Sequence, residues 1–310
     1  MRFAILGSGA VGGYFGARLW KAGHDVTFIA RGAHLAAIRE RGLEVSSPLG
    51  DVRATAAAEE DTGRVGVVDC VLVAVKNYDN ATAFPMLRPM VGPATTVLTV
   101  QNGVDAIEEC AQVVGTRAVL GGVTYIFATL DRPGRVAHMG TSARIVFGEV
   151  FDAPPALSPR VEAIARAFSE AGVEIDPVPD ARPALWEKLA YLATFAGLTG
   201  ASRLPIGPLW QCAAVRDAFM QGVGEIERVA RAEGVRLPDG LTDRLTAFVD
   251  GLSPAWKSSL LVDLQNGRRI EVEALQGSVV RRGRLAGVPT PTLGALYAVL
   301  KPHEHGPIQA

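Results

Sequence analysis

Apolar residues fall in two different rhythms along this chain. In the first half they come as short unbroken runs. "RFAIL", "DVTFIA", "DCVLVAV" and "TTVLTV" are nearly all apolar and are separated by glycine-rich or polar breaks, the pattern of parallel strands covered on both faces. Residues 118–147 read as further strands joined by turns at Asp131-Arg132-Pro133-Gly134 and around Gly140. A helix over 157–171 and a strand at "VEIDPV" complete this half. After Pro177, Pro179 and Pro183 the texture changes to long helix-forming stretches with few strand signals. It predicts helices over 184–200, 211–234, 238–250, 269–286 and 292–301, with Gly or Pro at most junctions. The expected architecture is α/β: an N-terminal sheet domain over 1–180 followed by an all-helical domain over 181–310. A cleft between two such domains would be the natural ligand site.

The junction of the first strand and first helix carries chemistry. Gly7-Ser8-Gly9-Ala10-Val11-Gly12 fits the G-x-G-x-x-G pattern and has a strand before it, a helix after it and a second strand beyond, which together mark a Rossmann dinucleotide-binding unit. Gly7 permits the tight turn, Gly9 lets the backbone approach a pyrophosphate, and Gly12 lets helix and strand pack closely. The second strand indicates which dinucleotide. NAD sites usually carry Asp or Glu near its end; here the chain reads Ala30-Arg31-Gly32 and the next acid is Glu40. A guanidinium there suits a 2′-phosphate, so NADPH is the expected cofactor, the plain alternative being a solvated loop arginine. Lys76 and Gln101-Asn102-Gly103 follow later strands at their carboxyl ends, where ligands of open α/β sheets bind. Lys76 could add charge near the phosphates and Asn102 could bond the nicotinamide end, or either could be an ordinary loop residue.

Composition narrows the partner. With 310 residues, two domains are expected. The balance of 31 basic against 32 acidic residues gives no electrostatic footprint for nucleic acid or an anionic membrane, leaving a small molecule as the expected partner. Cys70, Cys110 and Cys212 are an odd, widely spaced set, suited to a reducing compartment. No signal-peptide pattern and no run of the ~18 apolar residues needed for a membrane span is present, so the expected location is cytoplasmic. Five histidines form no ligand pair, the last two lying in "KPHEHGPIQA", a tail expected to fray, and no metal site is expected. A helical second domain often supplies a dimer face, which leaves a homodimer open.

Lys188 is the position that the hydrophobic pattern does not explain. It heads the run "ALWEKLAYLATFAGLTG", and at 100° per residue Leu192, Phe195 and Thr199 return to its face with Ala196 at the margin. The bland reading is a lysine whose stem covers apolar surface and whose ammonium reaches water.

The order of motifs resembles the ketopantoate reductase (2-dehydropantoate 2-reductase) family, over nearly the whole length. It rests on the glycine pattern at Gly7 to Gly12, Lys76, "QNG" at 101–103, "WEKL" at 186–189, "SSLLVDL" at 258–264, "GRRIEVEALQG" at 267–277 and "GVPTP" near the end. The resemblance implies an NADPH-dependent oxidoreductase of pantothenate biosynthesis that reduces a 2-oxo acid. It implies Lys188 as the general acid, Glu271 as its catalytic partner, Ser259 as a substrate contact, Asn102 at the nicotinamide end and substrate, and Arg31 and Lys76 on the adenosine phosphate portion. By residue type alone, Ser259 would be a helix cap and Glu271 a first-turn acid. The family's pocket asparagines four and eight residues beyond the lysine are Leu192 and Ala196 here, and a third corresponds to Ile206. These substitutions point to a more apolar ketone, oxo acid or imine as an alternative substrate. A non-catalytic NADPH-binding sensor is a further alternative, against which the retention of Lys188, Ser259 and Glu271 argues.

Overall fold

The computed structural model describes residues 1–152 and 154–307. The chain divides into two compact units, one of Met1–Gln101 and Ala106–Arg182, the other of Asn102–Asp105 and Pro183–Ala310.

The first unit is a ten-stranded sheet. Its strands are β1 (Arg2–Leu6), β2 (Asp25–Ile29), β3 (Leu43–Ser46), β4 (Val52–Ala54), β5 (Ala57–Glu59), β6 (Cys70–Val73), β7 (Thr96–Thr99), β8 (Val119–Arg132), β9 (Arg135–Glu149) and β10 (Glu174–Asp180). They lie in the order β4-β3-β9-β8-β7-β6-β1-β2-β5, with β10 alongside β9. From β8 to β5 the pairings are parallel, while β8/β9 and β3/β4 are antiparallel. Helices α1 (Ala10–Lys21), α2 (Gly32–Arg41), α3 (Asn80–Ala83), α4 (Asp105–Val114) and α5 (Pro159–Glu170) connect the strands. Every residue of β6 and β7 is buried, as the unbroken apolar runs required. Phe168 of α5 meets Phe3 and Phe15 edge-on, each pair of rings 6.2 Å apart. Cys70 and Cys110 lie in this interior, where burial pushes each thiol up to about 12, so neither supplies a thiolate at neutral pH.

One detail of the sheet departs from the sequence reading. The break around Gly140 is not a turn between strands. β9 continues through it, and the register jumps from Ile126 opposite Ala143 to Phe127 opposite Met139, so Gly140, Thr141 and Ser142 bulge out of one long strand. Gly140, at φ +97°, supplies the left-handed backbone the bulge needs. On either side of it β9 pairs with different partners, β3 through Arg135–Ala137 and β10 through Arg144–Glu149.

The second unit is helical: α6 (Arg182–Ser202), α7 (Ile206–Trp210), α8 (Ala213–Ala232), α9 (Leu241–Asp250), α10 (Ser259–Gln265), a π-turn at Glu273–Gly277 running into α11 (Ser278–Ala286), and α12 (Pro291–Leu300). Helix α6 is the central member because it is apolar nearly all round. Its small residues admit the neighbours. A Cβ on Gly197 would stand 2.7 Å from Leu296 of α12, one on Gly200 2.5 Å from Leu260 of α10, and one on Gly222 of α8 2.8 Å from Thr194.

The helix expected over 269–286 starts late. Helix α10 stops at Gly267, which takes φ +63°, and the Arg268 amide reaches back to the Asp263 carbonyl at 2.8 Å, a glycine-dependent helix stop. The chain then runs without helix to Glu271. The tail expected to fray is pinned as far as it is described. The Ile270 amide donates to the Glu304 carbonyl at 3.1 Å, Lys301 bonds Glu273 and Glu304, and the Arg203 guanidinium meets His303 at 3.1 Å. Ile308, Gln309 and Ala310 lie outside the described residues. Among the described residues no helix is long and apolar enough to cross a membrane, and no group of three or more His, Cys, Asp or Glu side chains could hold a metal ion.

Candidate active site

In the sheet unit the glycine loop shows what each of its residues does. Gly7 takes φ +97°, and a Cβ there would stand 2.6 Å from the Val75 amide nitrogen. A Cβ on Gly12 would stand 2.3 Å from the Gly7 carbonyl oxygen, whereas one on Gly9 would meet nothing within 4 Å. Two glycines are therefore required by the protein's own packing. The third keeps a space open at the start of α1, whose first turn carries no acidic side chain. This open cradle at a helix N-terminus fits a pyrophosphate. Gly7, Gly9, Ala10 and Val11 are partly open and Gly12 is buried. Ser8 is buried; its amide donates to the Ile29 carbonyl at 3.3 Å, and its hydroxyl stands 3.1 Å from the carbonyls of Ile5 and Ile29. Its polar groups hold the turn against β1 and β2.

One residue that sequence reasoning passed over supports this loop. His34 of α2 lies with Nε2 2.7 Å from the Ser8 carbonyl, and the Gly134 amide donates to its Nδ1 at 3.0 Å. A neutral imidazole with its proton on Nε2 satisfies both contacts. The Ser8 carbonyl is thereby hydrogen-bonded within the protein. The sequence gives no sign of this, since Gly134 is a hundred residues away.

Arg31 is at the N-cap position of α2 with its side chain 72% exposed, and its guanidinium meets the Asp79 carboxylate at 3.4 Å. Lys76 stands at the N-cap position of the short turn at Asn77–Asp79 and is partly exposed. Gln101 is buried, its amide nitrogen donating to the Val75 carbonyl at 3.0 Å and to Asn80 Oδ1 at 2.6 Å. The division between the units falls immediately after it.

Asn102, Lys188 and Glu271 all stand in the helical unit. Lys188 lies in the second turn of α6 and is partly open. Burial pushes its ammonium from 10.5 down to about 8, against the opposing effect of the Glu271 carboxylate, which favours the charged form. Glu271 is buried, two residues before the π-turn. That π-turn is the junction of the site. On one side Gln276, fully buried, donates to the Ala193 carbonyl of α6 at 2.6 Å. On the other, Gly103 at φ +88° lies so close that a Cβ would stand 2.5 Å from the Ala274 carbonyl oxygen. The glycine of "QNG" is therefore demanded twice, by its backbone angle and by the approach.

The comparisons with known proteins can be set against this geometry. The model of the family described as "Ketopantoate reductase PanE/ApbA" matches residues 3–151, and that of its C-terminal domain matches residues 180–304. The chain belongs to the ketopantoate reductase family. It is 33% identical to a 2-dehydropantoate 2-reductase of Halobacterium salinarum over 97% of this chain and 98% of the relative. It is 30% identical to the uncharacterized oxidoreductase YkpB of Bacillus subtilis over 98% and 99% of the two chains. A crystal structure of a PanE/ApbA family ketopantoate reductase from Ralstonia eutropha superposes with a TM-score of 0.88 at 32% identity, covering 98% of each chain. Membership makes the chain an oxidoreductase and accounts for its dinucleotide fold.

Within this family member the expected substrate contacts are placed unequally. Leu192 is partly open, one turn from Lys188, but Ala196 is fully buried and Ile206 is 3% exposed. As the chain stands, Ala196 and Ile206 belong to the helical core and offer a ligand almost no surface, because α6 is packed on nearly every side. Of the two serines in "SSLLVDL", Ser258 is the helix cap. Its Oγ accepts from the Leu261 amide at 3.1 Å and lies 2.8 Å from Thr199 Oγ1 of α6. Ser259 is the first helical residue and is exposed.

Proposed function

We propose that this protein uses NADPH to reduce the carbonyl of a 2-oxo acid to a 2-hydroxy acid, with Lys188 as the proton donor. The observation that carries the reading is an ammonium held beside a buried carboxylate, with its pKa lowered to about 8. The reduced nicotinamide, when bound, supplies the hydride. Lys188 would hydrogen-bond the substrate carbonyl oxygen, stabilise the negative charge that develops on it and give it a proton. Glu271 would keep the lysine charged and oriented until that transfer, and Asn102 would meet the nicotinamide end. The open cradle at Gly9 would take the pyrophosphate, with Arg31 and Lys76 on the adenosine phosphate side. A sensor that only bound the dinucleotide would need neither Lys188 nor Glu271. NADPH oxidation measured with a panel of 2-oxo acids, ketopantoate among them, tests this reading; no turnover with any of them would sink it.

Leu192 favours a substrate more apolar than ketopantoate. A side chain without hydrogen-bonding groups stands where the family carries an amide, and apolar pockets discriminate weakly between ligands of similar size. The protein should therefore prefer 2-oxo acids with aryl or branched substituents. Leu192→Asn should shift kcat/KM toward hydroxylated substrates by about tenfold, the effect of one added hydrogen bond of about 1.4 kcal/mol. The same change at Ala196 is a poor probe, since it would bury an amide in a filled core. Wild-type preference for ketopantoate over a phenyl-substituted analogue would contradict the expectation.

Arg31 should set the preference for NADPH over NADH. Because its side chain is largely exposed and already paired with Asp79, the preference should lie near tenfold, the lower end of what a charge-assisted bond of about 1.5–3 kcal/mol supplies. Titrating both dinucleotides against the wild type and Arg31→Ala checks this. Equal affinities in the wild type, or an undiminished preference in the variant, would remove Arg31 from the cofactor site.

A further inference from the structure

The loop that carries Asn102 is clamped to the rest of the helical unit by a charged cluster for which the proposed chemistry has no direct use. Asp105 Oδ1 accepts from Ser278 Oγ at 2.8 Å and from Arg282 Nε at 2.8 Å, and its Oδ2 accepts from the Arg281 guanidinium at 2.9 Å. Arg282 reaches onward. Its Nη1 donates to Glu233 at 2.8 Å, and its guanidinium carbon lies 6.0 Å from the centre of the Trp186 ring, two residues before Lys188. The Arg282 side chain is only 12% exposed and that of Asp105 19%. One carboxylate thus joins the Asn102 loop to α11, directly beyond the π-turn that follows Glu271, and through Arg282 to the helix of Lys188.

Helix stability does not demand this arrangement. An acid in the first turn of α4 could serve the helix by facing its own amides or water. Instead both carboxylate oxygens bond side chains more than 170 residues away in sequence. Ion pairs removed from water add little net stability compared with apolar packing, and their best-attested use is to select one arrangement over others. Three elements must hold a fixed mutual placement if Asn102, Lys188 and Glu271 are to act on one substrate and one nicotinamide, and reactions of this kind lose rate steeply when groups shift by about 1 Å.

We propose that Asp105, held by Arg282, is a positioning residue that fixes the Asn102 loop relative to Lys188 and Glu271 and thereby seats the nicotinamide. The proposal rests on the reading that Asn102 meets the nicotinamide end of the dinucleotide. Asp105 acts through the loop and touches no reacting atom.

The test compares wild-type protein with Asp105→Ala and Asp105→Asn in three measurements on the full chain. These are affinity for adenosine 2′,5′-bisphosphate, the change in nicotinamide emission when NADPH binds, and turnover with the best 2-oxo acid. In Asp105→Ala, bisphosphate affinity should stay at the wild-type value, because the glycine loop and Arg31 are untouched. The emission change should be largely lost, and kcat should fall about ten- to a hundredfold, with a larger primary isotope effect from 4-deuterated NADPH. Asp105→Asn, which keeps an acceptor oxygen for Arg282 and Ser278, should recover part of both losses. If Asp105→Ala does not fold, Asp105→Asn decides alone, partial loss of emission and turnover supporting the proposal and wild-type values overturning it. A variant that melts earlier yet keeps the wild-type emission change and kcat would overturn it, leaving Asp105 a purely structural residue. Wild-type protein that binds the bisphosphate but shows no emission change with NADPH would overturn the reading of Asn102 instead, and the proposal with it.

Discussion

Lys188→Ala should lower kcat for 2-oxo acid reduction by about a hundredfold or more, the usual contribution of a positioned general acid. Affinity for the dinucleotide should change little. The lysine lies in α6 of the helical unit, while the glycine loop belongs to the sheet unit. The expected loss has two parts. Hydride arriving at a carbonyl carbon leaves charge on the oxygen, and removing the ammonium removes both the electrostatic stabilisation of that charge and the nearest proton. It also leaves Glu271 buried without the charge it faces. Glu271→Gln, which keeps the ammonium, should be slower than wild type by a smaller factor than Lys188→Ala. Near-normal turnover in Lys188→Ala would reduce the residue to the solvent-reaching lysine that its helical position first suggests.

The second large effect is expected at Gly9. A methyl group there would meet no protein atom within 4 Å, so Gly9→Ala should fold and melt as the wild type does. It should nevertheless weaken NADPH binding by about ten- to a hundredfold, because the methyl would occupy the space proposed for the pyrophosphate, and overpacking typically costs about 1–3 kcal/mol. Gly12→Ala makes the contrast. Its methyl would stand 2.3 Å from a backbone oxygen, so that variant should lose stability whether or not cofactor is present. Gly9→Ala with unchanged NADPH affinity would mean that the phosphates bind elsewhere.

These two positions mark how far the sequence could be read. The glycine pattern was legible because strand, turn and helix are contiguous, and each glycine answers to atoms only a few residues or one strand away. The all-apolar runs of β6 and β7 and the long apolar stretch of α6 were legible for the same reason, since burial on all sides leaves a local signature. Strands β3, β4 and β5 left none. They are three or four residues long and exist by pairing with β9, β2 and one another, contacts that no local window contains. Helix α10 was missed because it is only seven residues long, and with it went the stop at Gly267 that sets Glu271 outside a regular helix.

At the candidate site, Lys188 and Glu271 were found through the order of motifs, not through periodicity, which favours a surface role for both. The motifs alone could not show that Ser258 rather than Ser259 caps α10, since either of two adjacent serines can do so. They also could not show that Ala196 is sealed in the core, because the burial of one α6 face depends on α8, α10 and α12 together. His34, Asp105 and Arg282 carried no signal at all. Each is defined by a partner about a hundred residues away or more.

The most direct test of the central claim is the pH dependence of kcat for NADPH oxidation, measured on wild-type protein and on Lys188→Ala with the best 2-oxo acid. On the proposed reading, reduction requires the protonated lysine. A pKa of about 8 leaves Lys188 mostly charged at neutral pH and neutral well above it, so the wild-type rate should be level below that value and fall as pH rises through it, tenfold per unit at the steepest. In Lys188→Ala the residual rate should show no such limb. A wild-type profile that stays flat to pH 10, or the same descending limb in the variant, would contradict the assignment of Lys188 as the proton donor.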